Sequence, residues 1–81
     1  MTRYYFDLID DYGHATDEEG LEISTLDQVE REAARSMADA VADNFDSPNI
    51  KTGESAIEVR DNLGPVMRLR FTVSIERLRQ Q

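Results

Sequence analysis

One stretch of this chain, Thr25 to Phe45, has both the length and the period of a helix, and everything else reads as strand or turn. The fold must therefore be made of sheet laid against a single rod. Apolar residues fall at Leu26, Val29, Ala33, Met37, Ala40, Val41 and Phe45, and spacings of three and four keep them on one stripe. Thr25 with Gln28 three residues on has the form of a capping box, and Asp27 puts negative charge at the positive end of the helix dipole. On the outer face Asp27 and Arg31, and Arg35 and Asp39, stand four apart and can pair. Pro48 forbids much further helix. The far end departs from the usual rule. After Arg35 no base appears until Lys51, so Asp39, Asp43 and Asp46 lie where the dipole disfavours anions. Two readings fit: a solvated acidic face with a frayed last turn, or a docking edge for a basic partner.

Eighty-one residues suit one domain over residues 1–81, with one thin core, because a chain this short buries only roughly 60–65% of its unfolded surface. Cysteine is absent, which excludes a disulfide framework, a thiolate metal site and a thiol nucleophile. Met1-Thr2-Arg3-Tyr4 leads straight into a strand pattern, with no apolar run resembling a signal peptide. No segment approaches the ~20 apolar residues that span a bilayer. The expectation is a soluble, cytoplasmic protein with no membrane association and no cofactor. Net charge is −8 and unevenly spread. Residues 1–46 hold 13 acids against three arginines, a balance of −10, and residues 47–81 hold four acids against six bases, a balance of +2. An acidic chain repels phosphate, so nonspecific binding to nucleic acid or anionic membrane is disfavoured. A local arginine-rich surface remains open to the second half.

Around the helix, alternation marks the strands. Tyr4, Phe6 and Leu8 alternate with Arg3, Tyr5 and Asp7, a half-buried strand. Asp10-Asp11-Tyr12-Gly13 turns the chain, His14 to Thr16 can return as a short edge strand, and Asp17-Glu18-Glu19-Gly20 turns it again. Leu21 and Ile23 alternate into the helix cap. After the helix, residues 46–54 read as loop, Ile57 and Val59 point inward from a strand, and Asn62-Leu63-Gly64 is a turn. The longest strand signal follows, with Met67, Leu69, Phe71, Val73 and Ile75 on one face and Arg68, Arg70, Thr72 and Ser74 on the other.

A three-residue loop ending at Gly64 sets the register of this second hairpin. Asp61 then faces Pro65, Val59 faces Met67, Glu58 faces Arg68 and Ile57 faces Leu69. A slip of one residue would put Val59 opposite Arg68. Ile9-Asp10-Asp11-Tyr12-Gly13 repeats the grammar of Arg60-Asp61-Asn62-Leu63-Gly64. Two hairpins flanking one helix give an α+β fold of order ββαββ: a four-stranded antiparallel sheet with the helix across one face. The strands are expected at about residues 3–10, 14–17, 56–61 and 66–75, the helix at about 26–45, and a fraying tail at 76–81. The opposite sheet face, with Arg3, Tyr5, Asp7, Glu58, Arg60, Arg68 and Arg70, is left without a covering layer, and Ile9 and Val66 add apolar area there.

Arg3-Tyr4-Tyr5-Phe6, Leu8, Asp10, Gly13, Asp17-Glu18-Glu19-Gly20, Ala33-Ala34 and Ile57-Glu58-Val59-Arg60-Asp61 with Gly64 resemble a family of short bacterial proteins. That family is abundant in alphaproteobacteria and is classed only as a domain of unknown function. The resemblance runs from Arg3 to about Phe71 and implies no activity, cofactor or catalytic residue. The hairpin–helix–hairpin order is also similar to that of small antitoxin-like domains, a likeness of fold alone.

Four kinds of chemistry have candidate residues in this sequence. Asp10, Asp11, Asp17, Glu18, Glu19 and Glu22 put six carboxylates within thirteen residues, the raw material of a hard-cation site. EF-hand spacing fails, however, because Tyr12 and His14 occupy ligand positions, and a solvated acidic turn is the plainer reading. His14 beside those carboxylates could serve acid–base hydrolysis, but no nucleophile elbow, phosphate loop or second histidine accompanies it. The expectation is a chain with no catalytic and no metal-binding residues. Arg3, Arg60, Arg68 and Arg70 with Tyr5 suit phosphate contact and base stacking. Glu58 opposite Arg68 and Asp7 on the same face account for those arginines as cross-strand ion pairs. The favoured expectation is a non-enzymatic interaction or regulatory module, self-associating as a homodimer or binding another protein through Arg3, Tyr5, Arg60, Arg68, Arg70 or an edge strand. A nucleic-acid-associated regulator using the same arginines is the alternative.

Overall fold

The computed structural model describes residues 1–10, 13–46 and 53–79. Its elements are β1 (Thr2–Asp10), β2 (Gly13–Ala15), β3 (Leu21–Ile23), α1 (Leu26–Asp46), β4 (Gly53–Asp61) and β5 (Gly64–Val73). The helix starts where the capping signal places it. Thr25 Oγ1 accepts the Gln28 N–H at 3.2 Å, and the Thr25 carbonyl accepts the Val29 N–H at 3.1 Å. Its last turn carries no base. Val29, Ala33 and Met37 are buried, and Ala40 and Val41 are half-buried. Leu26, at the first helical position, is 53% exposed, so the buried stripe is narrower than its spacing implies. The Phe45 side chain lies outside the described part of the structure.

All strands pair antiparallel in the order β2-β1-β4-β5, with β3 also on β1. The expected second strand is therefore two strands, and the sheet has five rather than four. β2 pairs with Leu8–Asp10 of β1, and β3 pairs with Thr2–Tyr4. Between them the chain leaves the sheet at Thr16 and returns at Leu21. β2 ends at Ala15, two residues short of the expected boundary, for a reason found at Asp17 and described below.

The second hairpin keeps the expected pairs Val59↔Met67, Glu58↔Arg68 and Ile57↔Leu69. Its turn is tighter than expected. Asp61 pairs with Gly64 rather than Pro65, leaving a two-residue loop in which Asp61 Oδ1 accepts the Leu63 N–H at 2.8 Å. Gly64 has φ +126°, a conformation that L side chains rarely adopt. The residue saved in the turn reappears as a bulge, since Arg60 pairs with Pro65 and Val59 with Met67, leaving Val66 over. The bulge brings Val66 onto the core instead of the open face, where strict alternation would put it. At the first hairpin Asp10 pairs with Gly13. β4 begins at Gly53, earlier than expected, because β5 offers partners as far as Val73 in the pairs Gly53↔Val73, Glu54↔Thr72 and Ser55↔Phe71. β5 stops at Val73, short of the expected Ile75, because its last partner on β4 is Gly53.

The core is one layer between sheet and helix. Tyr4, Ile23, Val29, Ala33, Met37, Ile57 and Val59 are buried, with Phe6, Leu8, Val66, Met67 and Leu69 packed against them. The molecule measures 51 × 23 × 17 Å with a radius of gyration of 14.5 Å. A compact chain of this length would have about 12 Å. One helix packs on this single layer of sheet, and its cover is uneven toward the margin at β5. Phe71 shows the limit of that cover: it points to the helix side but is 41% exposed on the outermost strand.

Candidate functional site

The pleat puts Arg3, Tyr5, Asp7 and Ile9 of β1, Glu54, Ala56, Glu58 and Arg60 of β4, and Arg68 and Arg70 of β5 on the face away from α1. All five residues expected to form an interaction surface are on this face. Each arginine there holds a carboxylate. Arg60 Nε donates to Asp7 Oδ2 at 2.8 Å, Arg68 Nε donates to Glu58 Oε2 at 3.1 Å, and Arg70 lies 3.7 Å from Glu54. Arg3 lies 3.9 Å from Glu22 and donates to the Glu19 carbonyl at 2.7 Å. The Arg60 guanidinium also stacks over the Tyr5 ring, 4.5 Å from its centre. Acid and base alternate across three strands, so the face is a ladder of ion pairs rather than a basic field.

The part of this ladder that sequence reasoning missed is centred on Asp17. Its Oδ2 accepts the Phe6 N–H at 3.1 Å, and its Oδ1 accepts the Glu19 and Gly20 N–H groups, each at 3.1 Å. Its own N–H donates to Asp7 Oδ1 at 2.9 Å, and Arg60 donates to its carbonyl at 2.9 Å. Partial burial raises the Asp17 pKa. The N–H donors of Gly20, Phe6 and Glu19, with the charge of Arg60, more than offset that and leave it below its ordinary value. The Arg60 pKa is raised, first by its hydrogen bond to Asp7 and also by the surrounding negative charge. Gly20, with φ +70°, closes the loop. A Cβ there would lie 2.9 Å from the Tyr4 carbonyl oxygen and 3.0 Å from the Tyr5 ring. The only sequence signal for this arrangement is the Asp17–Gly20 turn itself.

Among the described residues the groups of the other candidate chemistries lie apart. His14 is exposed on β2 opposite Ile9. Asp11 lies outside the described residues, and Asp17 is turned to backbone amides. Among the described residues no group of three or more histidine or acidic side chains is placed to hold a metal ion. On the open face Ile9 and Ala56 floor a broad depression of about 340 Å³ rimmed by Glu54, Arg68 and Arg70.

A second surface lies at the margin of the sheet. β5 is terminal in the strand order, so one side of its backbone has no strand beside it among the described residues. Next to it Ala34, Met37, Ala38, Leu69 and Phe71 line a groove of about 180 Å³ between helix and strand. Ile75, just beyond the end of β5, is 44% exposed. The signal for this surface was the apolar alternation running on to Ile75.

Fold and surfaces together define a small α+β module with one helix over an antiparallel sheet, a charge-paired reverse face and an apolar free edge. The chain belongs to the family named Domain of unknown function (DUF6894), whose model matches residues 3–72. Neither curated proteins nor solved structures give a match to it. No described helix is long and apolar enough to cross a membrane.

Proposed function

We propose that this chain is a non-enzymatic, cytoplasmic interaction module that associates with a second copy of itself, through the free margin of β5 rather than the open face. One observation carries the proposal: β5 is a ten-residue strand with no strand on one side among the described residues, and its Phe71 is 41% exposed. An unpaired edge is a template for another strand. A thin, single-layer core gives a small domain reason to gain stability by association. The open face is less suited to the role. Arg3, Arg60, Arg68 and Arg70 each hold a carboxylate, so nucleic-acid phosphate would have to displace Glu22, Asp7, Glu58 and Glu54.

Sedimentation equilibrium or light scattering tests the reading. The expected result is a particle of twice the 9.3 kDa chain mass in the micromolar range. A monomer persisting to high micromolar concentration overturns it.

A further inference from the structure

We infer, resting on the self-association proposed above, that two copies join β5 to β5 antiparallel about a two-fold axis passing at Phe71. The two sheets then run on as one, with both helices on the same side. Arg70 comes opposite Thr72 of the second copy, Leu69 opposite its Val73, Arg68 opposite its Ser74 and Met67 opposite its Ile75.

Three features of β5 select this register. Pro65 has no N–H, and the bulge at Val66 breaks the regular spacing, so the start of the strand cannot take a new neighbour. Charge then chooses among the remaining axes. An axis at Leu69 puts Arg68 opposite Arg70 twice, and an axis at Arg70 puts that residue opposite itself; like charges directly opposite are destabilising. An axis at Phe71 is the first to place both β5 arginines, Arg68 and Arg70, against neutral hydroxyls. An axis at Thr72 also separates the charges, but it keeps only residues 71–73 of β5 in the pairing, whereas the Phe71 axis keeps 69–73.

The third feature is apolar. Alternation continues to Ile75, yet β5 pairing within one chain ends at Val73. Phe71 and Ile75 are the two exposed large apolar residues at this margin. The Phe71 axis brings Phe71 against its own copy, an aromatic cross-strand pair, and gives Ile75 a partner in Met67. On the helix, Ala34 and Ala38 are small and exposed, so the helix flank does not overhang the joint.

The chain has no cysteine, so single-cysteine variants report on the register cleanly. Directly opposed residues of an antiparallel pair have Cα atoms about 4.5–5.5 Å apart, within reach of a disulfide, and residues two positions out of register do not. Arg70→Cys and Thr72→Cys, both at exposed positions, are made in the full chain, checked for unchanged far-ultraviolet dichroism, mixed and oxidised mildly. The mixture is expected to give a disulfide-linked pair several-fold more abundantly than either variant alone. Linking by Thr72→Cys alone moves the axis to Thr72, linking by Arg70→Cys alone moves it to Arg70, and either result overturns the assignment. A wild-type protein of dimer mass whose mixed variants do not link overturns the register and leaves self-association standing. A monomeric wild-type protein overturns both. As an independent readout, Phe71→Asp, at a position exposed in one copy, is expected to halve the particle mass without loss of secondary structure. A full-mass particle in that variant also overturns the axis.

Discussion

The carboxylate of Asp17 takes the backbone N–H of Phe6 at 3.1 Å, at the point where the strand beside β1 is interrupted. A side chain here stands in for the missing backbone neighbour. The same carboxylate receives Glu19 and Gly20, so one residue both ends β2 and shapes the loop that leads to β3. Arg60, from the other hairpin, ties this loop to β4 through Asp7 and the Asp17 carbonyl.

Asp17→Ala removes three acceptor contacts and leaves the half-buried Phe6 amide without its partner. The expected loss of stability is about 1–3 kcal/mol, read from urea unfolding at neutral pH. A loss below about 0.5 kcal/mol would show that water replaces the carboxylate at no cost.

The lowered pKa of Asp17 gives this contribution a pH dependence of definite sign. The unfolded chain binds the proton more readily than the folded one, so the stabilisation is complete above the ordinary value of 3.8 and is lost as pH falls through the lower folded value. Wild-type and Asp17→Asn proteins, melted from pH 6 down to pH 2, should converge in the acid range. A difference in melting temperature that stays constant across the range contradicts the assignment.

Gly20→Ala meets two obstacles at once: a positive φ and a backbone oxygen 2.9 Å from the new methyl. The expected cost is about 1–3 kcal/mol, with the far-ultraviolet spectrum retained. An unchanged unfolding midpoint would mean that the loop relaxes away from Tyr4.

Ile57 and Phe71 point to the same side of the sheet but stand differently. Ile57→Ala, at a buried position, should cost about 2–5 kcal/mol at every protein concentration. Phe71→Ala should cost clearly less in dilute solution, and its effect should grow with concentration as association contributes. Equal, concentration-independent losses at both sites would place Phe71 in the core of one chain.

For the arginine face the expected outcome concerns nucleic acid. Single-stranded oligonucleotide should show no saturable binding tighter than about 10⁻⁴ M at physiological salt, and Arg68→Glu with Arg70→Glu should leave titrations unchanged. Tight, salt-sensitive binding abolished by that double change would establish the opposite.

The legible parts of this fold are those that repeat. Val29, Ala33 and Met37 announce the buried side of α1, and the alternation through Val59 and Leu69 sets a register that the bulge next to Val59 does not disturb. What could not be read depends on contacts made across the chain. Asp7 and Arg60 are 53 residues apart, and nothing in either neighbourhood says that β1 and β4 lie side by side. Asp17 looks like any turn aspartate until Phe6 is placed beside it. Phe71 shares its period with Leu69, and only the strand order reveals that one is covered and the other is at a margin. Val66 follows the alternation on paper, but the tighter turn at Asn62-Leu63 shifts it by one.

The interruption at Asp17 also sets where such a sheet must end. From Leu8↔Ala15 to Tyr4↔Leu21, β1 advances four residues while the strand beside it uses six, so the far margin offers two short tracts out of step with each other. A newcomer could match one tract or the other but not both. If two copies do join along β5, the broken opposite border stops the sheet at that pair, and the fibres that an unguarded sheet invites would have nowhere to grow.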